Sequence, residues 1–149
     1  MIDKSGAVAA FDAETGSEAG LYNVIKADDF VISGGKNLII AGREQAAAVD
    51  MNTGFILWSR ELKHGRTSSV FAAGDAFFIL TNFTYKPLGI NLFTSERGYI
   101  EAVNVSDGKT LWGMMLPSTV SANGSTAYGR AAVMTDNGRL IVLTPEDGP

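Results

Sequence analysis

The apolar and polar positions of the chain form short runs separated by turn residues, and nowhere do they form the stripes of an amphipathic helix. Positions 37–41, 76–81 and 131–135 are apolar runs bounded by Gly, Asp, Asn or Thr, which predicts strands of four to six residues. No 3.6-residue period stands out, so no helix longer than one turn is predicted. Side chains alternate across a strand, so each run can be divided into two faces. One face carries Val8, Ala10 and Asp12, then Ala46, Ala48 and Asp50, then Ile100, Ala102 and Asn104, then Leu140, Val142 and Thr144. The other carries Ala9 and Phe11, Ala47 and Val49, Glu101 and Val103, Ile141 and Leu143. Both faces are mostly apolar or small, which predicts strands covered on both sides.

The runs repeat. AFDAETG at 10–16, AVDMNTG at 48–54, AVNVSDG at 102–108 and VLTPEDG at 142–148 are variants of one stretch. Their closing glycines, Gly16, Gly54, Gly108 and Gly148, stand 38, 54 and 40 residues apart. Gly34-Gly35, Gly74-Asp75 and Gly129-Arg130 mark a second turn near each half-period. A period near forty with a turn at each half predicts four short strands per repeat. Asp12, Asp50 and Asn104 suit Asx-turns, and the glycine after each supplies the positive φ that closes the hairpin. Trp58 and Trp112, the two tryptophans, each stand four residues after a motif glycine. At that register an indole can lie across a neighbouring sheet while its N–H meets a carbonyl, which predicts a structural role.

These residues carry a resemblance. Ala48-x-Asp50-x-x-Thr53-Gly54-x-x-x-Trp58 resembles the tryptophan-docking motif of quinoprotein (pyrroloquinoline-quinone-like) propellers, and Ala102-x-Asn104-x-x-Asp107-Gly108-Lys109-x-x-Trp112 is similar. The first repeat departs from it with Gly20 at the tryptophan position, and the fourth stops at Pro149, before that position. The resemblance implies an all-β fold: a partial β-propeller of about three four-stranded antiparallel blades, one domain over 1–149. It begins and ends in the third strand of a blade. Three periods do not close a ring, so the expectation is either a piece of a longer protein or a ring completed by another copy or another chain.

The family holds quinone-dependent dehydrogenases and non-catalytic binding propellers. With no cysteine and no cluster of acidic and amide residues suited to Ca²⁺, the repeat carries over here without a catalytic apparatus. No cofactor is expected. The leading expectation is a binding or scaffold module for a protein or peptide, with a dehydrogenase fragment or a purely structural assembly module as alternatives. A net charge of −4 argues against a nucleic-acid footprint, and no run reaches the length of a membrane span. Localisation stays open. Residues 1–6 show no signal peptide, which fits a cytoplasmic protein if the chain is complete, and a trimmed piece fits the periplasm or exterior, as the resemblance implies.

The 54-residue interval contains fifteen extra residues, which fall at about 82–97 between the second and third strands of a repeat. Connections of this length are often functional, and Phe83, Tyr85, Leu88, Phe93 and Arg97 are the expected partner contacts. The bland alternative is a local hairpin that packs on its own scaffold. On the same face of the disc fall Arg43, Glu44, His64 and Arg66. His64, the only histidine, is expected to be an exposed loop residue beside Lys63 and Arg66. Asp28-Asp29, the adjacent acidic pair, is expected to be a solvated loop before a strand. Three glycosylation sequons begin at Asn82, Asn104 and Asn123, and Asn104 is expected to be committed to its turn.

Overall fold

The computed structural model describes residues 1–64, 66–89 and 94–144. These hold thirteen strands: β1 (Val8–Phe11), β2 (Glu18–Tyr22), β3 (Asp29–Ser33), β4 (Asn37–Ala41), β5 (Gln45–Asp50), β6 (Ile56–Glu61), β7 (Arg66–Ala73), β8 (Ala76–Tyr85), β9 (Ser95–Asn104), β10 (Thr110–Met115), β11 (Ser125–Ala127), β12 (Arg130–Met134) and β13 (Leu140–Leu143). A 3-10 turn at Pro87–Gly89 is the one helical element among the described residues. Every pairing is antiparallel between consecutive strands. They form a two-stranded sheet (β1-β2), two complete four-stranded sheets (β3 to β6 and β7 to β10) and a three-stranded sheet (β11-β12-β13). The first sheet thus holds the outer half of a repeat and the fourth holds its inner three strands, as the repeat spacing predicts.

The double-sided strands explain how the sheets stack. Leu38 and Ile40 of β4 face a core shared with the first sheet, beside Val8 and Ala27. Ile39 and Ala41, one residue out of step, face a core shared with the third sheet, beside Phe77 and Ile79. Phe78 and Leu80 of β8 face a further core with Ala131 and Val133 of the fourth sheet. Each large side chain that is fully buried contributes about 1.5–3 kcal/mol. The outer strands β6 and β10 have mostly exposed or half-buried positions, and β3 runs beside β7 on the inner side.

The turn chemistry follows the sequence pattern. The Asp12 carboxylate accepts from the N–H groups of Glu14 and Thr15, that of Asp50 from Asn52 and Thr53, and the Asn104 amide oxygen from Ser106. The backbone N–H of Thr15 holds Asp12 below the usual carboxylate range, and that of Thr53 does the same for Asp50.

Trp58 reaches from β6 to the third sheet. Its indole N–H donates to the carbonyl of Val105 at 2.8 Å, and its ring stacks on Phe77 with centroids 5.6 Å apart. Gly108 lies beneath the ring, where a Cβ would fall 2.7 Å from the indole. Trp112 packs toward the fourth sheet, 5.9 Å from Phe78. The positions corresponding to Val105 and Gly108 in that repeat are 145 and 148, outside the described residues. The first junction uses a different residue. With Gly20 at the tryptophan register, Tyr22 leans back over that glycine and donates its hydroxyl to the carbonyl of Met51 at 3.3 Å. Met51 holds the register of Val105, so a tyrosine two residues further on makes the equivalent cross-sheet hydrogen bond.

The extra residues take the local-hairpin alternative and are not an open loop, with residues 82–85 and 95–97 in strand. β8 and β9 each run ten residues and stay paired from Asn82↔Gly98 to Tyr85↔Ser95, capped by the 3-10 turn. Asp28-Asp29 is likewise not a solvated loop. Asp29 begins β3 and accepts the N–H of Val70 from the third sheet at 2.7 Å, and Asp28 pairs with Arg66 at 3.1 Å. Both carboxylates tie the second sheet to the third. The next junction is tied by an amide: Asn82 accepts the Val120 N–H at 2.9 Å and donates to its carbonyl at 2.8 Å.

Candidate functional site

The turns between second and third strands, and the connections from one sheet to the next, meet on one face of the disc. Leu62 donates its N–H to Glu44, Leu116 donates to Gly98, and Gly98 donates to Ser118. The β8–β9 ribbon stands on this face because its pairing simply continues beyond the sheet. The expected contact residues divide here into three groups.

Arg43, Glu44 and Arg66 line an open, polar hollow of about 570 Å³ with Lys26, Asp28 and Gln45. Arg43 and Glu44 are exposed, and Arg66 is held by Asp28. The lining mixes three cations, Lys26, Arg43 and Arg66, with two carboxylates, Asp28 and Glu44, so neither sign dominates it.

His64 and Phe83 form the second group, at the junction of the second and third sheets. The imidazole is half-buried, stacked on Phe83 at 4.7 Å and edge-on to Tyr99 at 4.5 Å. It is therefore not the exposed loop residue that its charged neighbours suggest. The extended ribbon places Phe83 beneath it. Below this cluster Arg60 of β6 pairs with Glu101 of β9 at 2.7 Å, the guanidinium 17% exposed and the carboxylate 3%. Arg60 also donates to the Gly108 carbonyl and to Thr110 Oγ1, and the Thr110 hydroxyl donates to Glu101. A buried carboxylate needs such a set of donors. Tyr99 is pushed above the usual phenol range by burial and then by the Glu101 charge.

Tyr85 and Arg97 make the third group, at the junction of the third and fourth sheets. There they line a cleft of about 810 Å³ with Met114, Met115, Leu116, Pro117, Arg139, Leu140 and Ile141. Arg97 donates to the Pro117 carbonyl at 2.6 Å. Leu88 lies in the 3-10 turn at the ribbon tip, and Phe93 lies outside the described residues. Sequence reasoning missed Arg60, Glu101, Tyr99 and the Met114–Ile141 side of the cleft. The one available signal was Glu101, a carboxylate in an otherwise apolar strand.

The family model described as outer membrane protein assembly factor BamB matches residues 4–149. The chain belongs to the BamB family of β-propeller repeats. BamB of Yersinia pestis is 26% identical over 167 residues, which cover 98% of this chain and 38% of that protein. The chain therefore spans well under half the length of this BamB relative. The fold recurs at low identity in two solved structures. The computationally designed Ika4 protein gives a TM-score of 0.71 at 12% identity, over 94% of this chain and 80% of that one. A protein of unknown function from Bacteroides caccae gives 0.58 at 11% identity, over 93% and 54%.

Proposed function

We propose that the chain is a non-enzymatic binding segment of an outer-membrane protein assembly propeller. It docks a protein or peptide partner through the face that bears the β8–β9 ribbon. The observation that carries this reading is the ribbon itself. Paired well past the length of β4 and β5, it holds Phe83 against the sheet and presents exposed Thr84 and Tyr85. A rigid two-stranded projection offers side chains at little ordering cost. The Trp58 contacts support reading 48–58 and 102–112 as tryptophan-docking motifs that serve the scaffold and leave binding to the turns. A fourth strand, from a longer polypeptide or from another chain or copy, fits the outer edge of β13, which no strand covers among the described residues, and further blades fit the exposed face of Leu140 and Val142.

The test replaces residues 84–96 with an Asn-Gly turn joining Phe83 to Arg97. Binding is then measured by surface plasmon resonance against the purified barrel-assembly subunit encoded in the same genome. The expected outcome is loss of binding with an unchanged circular dichroism spectrum and melting profile. Undiminished affinity would overturn the reading.

A further inference from the structure

The three junctions place different residues at one register. The outer-strand position two residues after the tryptophan register is Tyr22, Arg60 and Met114, and the facing third-strand position is Ala47, Glu101 and Ile141. At the second junction the ion pair and the His64–Phe83–Tyr99 cluster fill the groove between sheets. At the first, a smaller groove of about 380 Å³ remains, and β6 lines it with Ser59 and Glu61. The third junction has neither filling, and its cleft of about 810 Å³ is open.

The lining of that cleft is uneven in a way that selects a ligand. Leu116 is fully buried at the floor, and Met114 and Ile141 belong to the adjoining core. Met115 and Leu140 stand 49% and 62% exposed at the rim, with Tyr85 beside them. The charged lining residues are both arginines, Arg97 and Arg139. Among the described residues no carboxylate lies within ion-pair distance of either guanidinium. In a chain of net charge −4, this is a local cationic rim around an apolar floor.

We infer that this cleft takes an extended acidic segment, with an apolar side chain on the Leu116 floor and a carboxylate beside Arg97 and Arg139. Arginine suits the task because its planar fork binds carboxylates in two-point fashion, and methionine adapts to the apolar side chain. The inference deepens the binding role proposed above, naming the partner's chemistry at the foot of the ribbon.

The five methionines allow a direct test, because Met114 and Met115 line the cleft while Met1, Met51 and Met134 do not. The chain, labelled with 13C-methyl methionine, is titrated by NMR with acetyl-Leu-Phe-Asp-Asp-amide and then with acetyl-Leu-Phe-Lys-Lys-amide. The acidic peptide is expected to move the Met114 and Met115 signals alone. Affinity falls about tenfold for the lysine peptide, for the Arg139→Glu variant, and as salt is raised. Unmoved Met114 and Met115 signals, or equal binding of the two peptides, would overturn the inference. If the peptide fails while the assembly subunit still binds through the ribbon, only the cleft assignment falls. If the peptide binds and the subunit does not, the cleft stands and the ribbon reading falls.

Discussion

The second and third junctions are built on one backbone plan and closed by opposite chemistry. Between the second and third sheets, Arg60 and Glu101 meet under a roof of His64, Phe83 and Tyr99. Between the third and fourth, Met114 and Ile141 occupy the same register, with an open cleft above them. In both, an outer-strand tryptophan packs toward the following sheet. The difference teaches that one way of stacking the sheets accommodates both a sealed groove, filled by an ion pair and an aromatic roof, and an open one.

The largest expected effect comes from breaking the sealed junction. Glu101→Ala leaves a mostly buried guanidinium without its counter-charge and costs about 3 kcal/mol in urea melts. Copying the open junction by pairing Arg60→Met with Glu101→Ile restores most of that loss, since apolar replacements of buried ion pairs are often neutral. A double mutant no more stable than Glu101→Ala alone would show that the two junctions are not interchangeable.

Next come the motif glycines. Gly54 and Gly108 have φ of +73° and +69°, but only Gly108 lies under a tryptophan. Gly54→Ala is expected to cost about 1–2 kcal/mol from backbone strain. Gly108→Ala adds about 1–3 kcal/mol of overpacking against Trp58. Equal melting shifts for the two would contradict the docked indole.

A smaller effect tests the first junction. Tyr22→Phe keeps the ring over Gly20 and removes one long hydrogen bond to Met51, so thermal denaturation should show a loss of about 0.5–1 kcal/mol. The smallest is an acid effect. Asp12 and Asp50 have folded pKa values below their unfolded ones, so their stabilisation is present above about pH 4 and is lost as pH falls through the folded values. Asn104 holds the equivalent turn without a titrating group. Asp50→Asn, which imitates it, should flatten the acid limb of a stability profile.

Much of the scaffold was legible because spacing and alternation are local. The glycine intervals set the strand count, and the two faces read from β5 and β9 are those that enter the separate cores, whereas β13 buries only its face of Ile141 and Leu143 and leaves Leu140 and Val142 exposed. What was not legible depends on partners far apart in the chain. Glu101 is visible as an oddity in an apolar strand, but its partner lies 41 residues away. The excess at 82–97 reads as either a contact loop or a local hairpin because insertion length carries no pairing information, and the ladder from Asn82 to Tyr85 decides for the hairpin. Asp28-Asp29 and His64 looked solvated because their sequence neighbours are polar, while their spatial neighbours belong to the third sheet. The division of the described candidate residues among three junctions arises only from folding.

The double grip of Asn82 on Val120 has a consequence for modification. Its side-chain amide nitrogen, the atom an oligosaccharyltransferase must reach, is held in the folded chain, whereas Asn123 of another sequon is exposed. Expressed through a secretory route, molecules that fold promptly would carry no sugar at Asn82. A glycan there would mark chains whose third and fourth sheets were still apart when the enzyme passed, so site occupancy becomes a clock for their docking.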